Sequence, residues 1–197
     1  MNQFDSVKLS DVLKHIKKPK FVLGTTYSLS LAFFESTVFP CFSRDELQAC
    51  LLLCDIKGYR NALIEAPALQ GAAQDYMVVP APTSGSFHPK VWLVMSDEEV
   101  CLLVGSGNLT QSGFMTNAEL FDVVTFSRSD PAPAELLSSI SAFVQGLHEL
   151  WSPSDRKHLL CTKTLFRLGE HLSKFPAGQA SAPSSVRFLH TFSGPLV

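Results

Sequence analysis

Charge of one sign is the first thing missing. The chain sets 16 Lys and Arg against 18 Asp and Glu, a net of −2 at neutral pH. That balance provides no overall field to draw in a polyanion, so any contact with nucleic acid has to be local. Long hydrophobic runs are missing as well. The longest, Ala49-Cys50-Leu51-Leu52-Leu53-Cys54, falls far short of the roughly 20 apolar residues a membrane span needs and reads as a buried strand. Met1-Asn2-Gln3-Phe4-Asp5 lacks the apolar core of a signal peptide, which makes a cytoplasmic protein with no membrane contact the expectation. The five cysteines are odd in number and have no metal-ligand spacing, which argues for reduced, buried thiols. Cys50 and Cys54 sit in so apolar a setting that core packing explains them better than a redox pair.

What is present is enough apolar material for one core: 46% of 197 residues are hydrophobic. Strand and helix patterns alternate. Phe21–Thr26 reads as a first strand, 30–40 as a Phe-rich helix, Ala49–Cys54 as the buried strand, Asp55–Gly58 as a turn and 58–64 as a short helix. A strand over 76–80 leads through the loop 81–86 to three further strands, and 134–150 and 157–172 are amphipathic helices. The alternation predicts an α/β layered fold. Residues 1–175 read as one domain, 176–185 as a loop or linker, and 186–197 as a C-terminal strand that loosely echoes 21–28, as the opening of a second lobe would. The one basic stretch, 8–20, places Leu9, Val12, Leu13 and Ile16 at helical spacing with its lysines elsewhere, and Pro19 ends it. A solvated helix face is the plainer reading of those lysines, and phosphate contact the sharper one.

One constellation has a chemistry attached. Phe87–Met95 reads as a strand entered at His88, so His88 and Lys90 point the same way. A second strand, 100–104, exits into Gly105-Ser106-Gly107-Asn108-Leu109-Thr110, and a third, 118–126, opens with Asn117 and Glu119 at the same two-residue spacing. Three neighbouring strands thus deliver an imidazole, an ammonium, amide and hydroxyl donors and a carboxylate to one place. That set suits attack on phosphorus. Neutral imidazole is available as a nucleophile near pH 7, Lys90 and Asn108 can follow the charge on the non-bridging oxygens, and Glu119 can orient the ring of His88. The scheme calls for neither a metal nor a cofactor. Other candidates are weaker. Ser28 and Ser30 read as helix caps, Asp97-Glu98-Glu99 as a solvated turn, His148 and His158 as surface or packing residues, and Asp122 as a structural hydrogen-bonding group.

His-x-Lys, then Gly-Ser-x-Asn, then Asn-x-Glu resembles the motif of the phospholipase D superfamily, and the details over residues 87–120 are most similar to its nuclease branch. The resemblance implies a mixed central β-sheet flanked by helices and a phosphohistidine intermediate. A second motif's His would then protonate the leaving oxygen, and water would release the product. Carried over by position, His88 is the nucleophile or acid, Lys90, Ser106 and Asn108 grip the phosphate, and Glu119 is the orienting carboxylate. Gly105, Gly107, Thr110 and Asn117 complete the substrate-binding set. Where the phospholipase pattern carries an Asp, this chain has Met95, a departure that weakens a lipid-hydrolase reading more than a nuclease one.

The motif occurs once. His15 has Lys17 two residues on but lies in the basic stretch and not at a strand entry, and His148, His158, His171 and His190 have no Lys two residues on. One motif is half of an active site in this family, so the second half has to come from a homodimer partner across a two-fold axis or from a second phospholipase D-like lobe. Three readings stay open: a metal-independent DNA endonuclease, the same chemistry on another phosphodiester such as a phospholipid, and a non-catalytic lobe that binds phosphate or nucleic acid within a larger assembly.

Overall fold

The structure, a computed structural model, describes residues 9–65, 69–152, 158–178, 188 and 190. The chain divides after Thr125, inside the 1–175 span, into two compact units. The first contains most of a six-stranded sheet in the order β3-β2-β1-β4-β5-β6: β1 Phe21–Thr26, β2 Ala49–Cys54, β3 Met77–Pro80, β4 Val91–Met95, β5 Glu99–Gly105 and β6 Phe121–Ser127. β6 runs across the division. The sheet is mixed, as the resemblance implied. β1 pairs parallel to β2 and β2 to β3, whereas β4 is antiparallel to both β1 and β5. β1, β2 and β4 are buried almost throughout, which is why they read as unbroken apolar runs rather than alternating ones.

One face of the sheet presents Val22, Cys50, Leu52, Trp92, Val94 and Leu103 to a cluster completed by α1 (Leu9–Leu13) and by the segment 31–42. The expected helix over 30–40 takes a different form. α2 covers only Leu31–Phe33, then widens into a π-turn, Phe34–Val38, and tightens into a 3₁₀ turn, Phe39–Cys41, that accommodates Pro40. These changes of pitch let Phe33, Phe34, Val38 and Phe39 all be buried, with Phe34 meeting Tyr76 edge-on at 4.8 Å between ring centroids. Ser30 caps α2 as expected, its hydroxyl accepting from Phe33 N.

Three further departures from the sequence reading bear on the site. Asp55–Gly58 is the start of α3 (Ile56–Ala62) rather than a turn, because the Asp55 carboxylate accepts from Lys57 N and caps it. Gly58 lies inside that helix because a β-carbon there would sit 2.1 Å from the carbonyl oxygen of Tyr27. β4 begins at Val91, not His88, since Pro89 has no N–H for a ladder; β6 likewise begins at Phe121, leaving Asn117 and Glu119 before it.

The basic stretch forms a shorter helix than expected, ending at Leu13. Lys18 then pairs with Glu46 at 2.9 Å and Lys20 with Asp97; Lys8 lies outside the described residues. Cys50, Cys54, Cys101 and Cys161 are buried free thiols and Cys41 is half-buried. Burial pushes the Cys54 and Cys161 thiols up to about 12 and Cys101 to about 11, which suits packing and not reactivity.

In the second unit, α4 (Ala134–Glu149) and α5 (Leu159–Leu172) bury Ile140, Phe143 and Leu147 and Cys161, Leu165 and Leu168. Most of the expected linker 176–185 and strand 186–197 lies outside the described residues.

Candidate active site

β4 runs antiparallel to β1 and β5, so the exits of β1 and β5 and the lead into β4 share one edge of the sheet. Hydrogen bonds from Ser106 N to Leu120 O, 3.0 Å, and from Leu120 N to Ser106 Oγ, 3.1 Å, bring the lead into β6 to the same edge. His88 and Lys90 precede β4, Ser106 and Asn108 follow β5, and Asn117 and Glu119 precede β6, three strand ends beside the exit of β1.

Asp55 anchors the His88 loop. Its side chain is buried, caps α3 through Oδ1 and accepts from Phe87 N through Oδ2 at 2.8 Å. His88 itself is exposed, with its ring 5.1 Å from that of Tyr27 and tilted by 41°. Lys90 is 7% exposed, and its Nζ donates to the His88 carbonyl at 3.0 Å and approaches His88 Nδ1 at 3.0 Å. An ammonium has only donors, so the imidazole nitrogen is the acceptor. Burial holds the Lys90 ammonium below its usual pKa, with the nearby Glu119 carboxylate acting the other way.

Asn108 is fixed by its oxygen. Oδ1 accepts from Tyr27 N and Ser28 N, both at 3.2 Å, while the neighbouring Leu109 N donates to Thr26 Oγ1 at 2.9 Å. Two N–H donors on one side assign the oxygen to that side and leave Nδ2 with two donors and no partner among the described residues.

Glu119 is placed differently from its expected role. It accepts from Ser106 Oγ and, at 3.2 Å, from Asn117 Nδ2; no hydrogen bond joins it to His88 among the described residues. Those two donors, with Lys90 nearby, hold its carboxyl below the usual carboxylate range. Glu119 thus orients Ser106 and counters the charge of Lys90, and the groups beside the imidazole are Lys90 and Tyr27.

The glycines serve packing. A β-carbon on Gly107 would lie 2.3 Å from Gly113 O, one on Gly113 2.3 Å from Asn108 O, and one on Gly105 2.2 Å from Phe121 Cδ1. The loop after β5 and the π-turn Ser112–Thr116 are therefore pressed together, and Thr110 Oγ1 accepts from Gly113 N at 3.1 Å. Tyr27, Thr26 and Asp55 went unread in the sequence. The only local signal for them was an Asp directly before a helical pattern.

Of the other histidines, His15 precedes β1, whose far end carries the site. In the second unit, His171 is buried beside Phe175 and the His158 ring lies 6.1 Å from Trp151. Among the described residues no three His, Cys, Asp or Glu side chains converge to hold a metal ion, and no helix is long and apolar enough to cross a membrane.

Similarity to solved structures fixes the fold. A mutant of yeast tyrosyl-DNA phosphodiesterase superposes with a TM-score of 0.52 over 78% of this chain, at 15% identity. The fold is phospholipase D-like. This chain spans only about a third of that phosphodiesterase, 35% of its length. NucT from Helicobacter pylori matches over 85% of this chain and 86% of its own, at 15% identity and a TM-score of 0.40. No family model matches the chain, and no curated protein does. In this phospholipase D-like sheet the candidate residues occupy the edge formed by the exits of β1 and β5, with the His88 imidazole exposed, the Lys90 ammonium buried against it and the Asn108 amide pinned by its oxygen.

Proposed function

We propose that the chain is a phosphodiesterase of the phospholipase D type acting on DNA. The observation that supports it most is the pairing of Lys90, held within hydrogen-bonding distance of His88, with an Asn108 whose oxygen is consumed by backbone and whose amide donors are left for a ligand. Lys90 and Asn108 bind the non-bridging oxygens of a phosphodiester. The His88 nitrogen attacks phosphorus and the P–O bond to the leaving alcohol breaks. That alcohol takes a proton from a second imidazole, and the His88–phosphorus bond is then hydrolysed by water, which returns free His88 and a phosphate monoester. Neither step requires a metal.

The second imidazole comes from another copy of the chain or from a further phospholipase D-like lobe, since His88 is the one histidine of the first unit at this edge of the sheet. The likeness to a protein named as a tyrosyl-DNA phosphodiesterase supports a phosphodiester of DNA as the substrate, and the cytoplasm is the expected location.

The test is cleavage of single- and double-stranded DNA in EDTA by the native chain and by His88→Ala, with mass in solution measured on the same samples. Cleavage that survives EDTA, is lost in the variant and accompanies a dimer is the expected result. A monomer inert on both substrates, still binding phosphate through Lys90, would instead favour a non-catalytic lobe.

A further inference from the structure

A groove of about 940 Å³ in the first unit starts beside the candidate site and has an unusual lining. One wall is Ser30, Ser36 and Thr37; the other is Thr110, Ser112 and Thr116. Ala32, Phe33 and Met115 supply apolar surface between them, with Phe33 backed by Phe114 at 5.8 Å between ring centroids. No Lys or Arg lines it, and the Glu65 carboxylate at its rim accepts from Ser30 Oγ at 3.1 Å and from Ala32 N at 2.7 Å.

The groove is continuous with the site. Ser30 N donates to Leu109 O at 2.9 Å, and Leu29 bridges Leu109, so the two walls are joined at their inner end. Two residues further in along each wall lie Ser28 and Asn108, themselves hydrogen-bonded at 3.2 Å. At roughly 3.3 Å per extended residue, the groove opens within about 7 Å of the Asn108 amide.

A strip that supplies hydroxyls and apolar surface but no positive charge offers little to a phosphate backbone, whose recognition is dominated by Lys and Arg. It does suit a nucleoside. Sugar and base edges take hydrogen bonds from hydroxyls, and the base face needs an apolar platform, here Met115, which is 63% exposed. In a duplex the base faces are stacked inside, out of reach of such a platform. We propose that this groove holds unpaired nucleosides flanking the phosphate bound at Lys90 and Asn108, so that the substrate is single-stranded. The inference rests on the phosphodiesterase reading for the position of the phosphate.

The experiment is fluorescence anisotropy of labelled ten-nucleotide DNA and RNA strands of one sequence, and of the blunt DNA duplex, against the native chain, Ala32→Trp and Met115→Ala. Ala32 and Met115 are both exposed, so neither change disturbs the core. Filling the groove with the indole of the Ala32→Trp variant is expected to weaken single-strand binding at least tenfold. Removing the Met115 platform should weaken it about fivefold, and the duplex should bind weakly to all three proteins. The DNA and RNA arms show which sugar the groove accepts, and binding of either supports the inference. Equal single-strand affinity in native and Ala32→Trp, tighter binding of duplex than of single strand, or no binding of any strand overturns it. A strand that binds the native chain and is lost in Ala32→Trp, yet is never cleaved, refutes the phosphodiesterase reading and leaves the groove standing.

Discussion

Asn108 Oδ1 accepts the backbone N–H of both Tyr27 and Ser28, at 3.2 Å each, and so ties the loop after β5 to the end of β1. The two ends of this amide differ, one bonded to backbone and one with its donors left open, and substitutions can divide them. Asn108→Asp keeps an acceptor for both N–H groups and removes the outward donors. It should fold with near-native stability and lose about 10²-fold or more in kcat/KM. Asn108→Ala leaves two N–H groups unpaired in a half-buried position and should cost roughly 1–3 kcal/mol of stability as well. Urea unfolding and steady-state kinetics on both proteins check this; equal stability of the two variants contradicts the structural half of the account.

Lys90 sets stability against function. Burial holds its pKa down in the folded chain, which means that the unfolded chain binds the proton more tightly. The penalty stands at full size below the folded-state pKa and fades as pH rises through it towards the unfolded value near about 10.4. Lys90→Met should therefore raise the Tm at pH 7, with the gain shrinking towards pH 10, while kcat/KM falls by about 10²-fold or more. Melting curves at the two pH values decide it, and a variant that melts below the native chain at pH 7 would sink the argument.

On the proposed mechanism, Tyr27 positions His88. Its ring packs 5.1 Å from the imidazole, and its backbone N–H is held by Asn108 whatever side chain it carries. Tyr27→Ala should thus leave the fold intact and lower kcat about tenfold, with KM little changed, because a freer imidazole spends less time aligned for attack. Tyr27→Phe, which keeps the ring, should restore activity. A Phe variant as impaired as Ala would move the role from the ring to the hydroxyl.

Much of this was legible beforehand, and the reasons for what was not are physical. β1 and β2 have the bounds read from the sequence, Phe21–Thr26 and Ala49–Cys54, because a strand buried on both faces leaves an unbroken apolar run. The motif residues were visible as spacing, and their gathering at one edge follows from strand order. The partners were not visible. Asp55 reaches Phe87 N across 32 residues and Tyr27 reaches His88 across the sheet edge, contacts that exist only once β1, β2 and β4 are adjacent. Glu119 looked like a partner for His88 because a carboxylate often is one. That it binds Ser106 and Asn117 is decided by β6 starting at Phe121, which puts Glu119 beside the β5 exit. The shape of the segment 31–42 marks the same limit: local preference cannot anticipate the changes of pitch that bury Phe33, Phe34, Val38 and Phe39 at once.

The need for a second imidazole gives the last prediction. On the proposed mechanism, attack requires one neutral ring and leaving-group protonation one charged ring, so the rate should be bell-shaped in pH, with an acidic-to-neutral optimum and two apparent pKa values that belong to the pair. If the second ring is the His88 of another copy, inactive His88→Ala chains will poison native ones by forming mixed dimers with a single imidazole. Titrating the variant into a fixed amount of native protein should then lower total activity, to about half at an equal mixture under random pairing. If the ring instead belongs to a further lobe of the same polypeptide, added variant has nothing to exchange with and the activity stays constant. The mixing curve separates these two sources of the second imidazole without a structure of either assembly, and a flat pH profile would argue against a two-imidazole site of any origin.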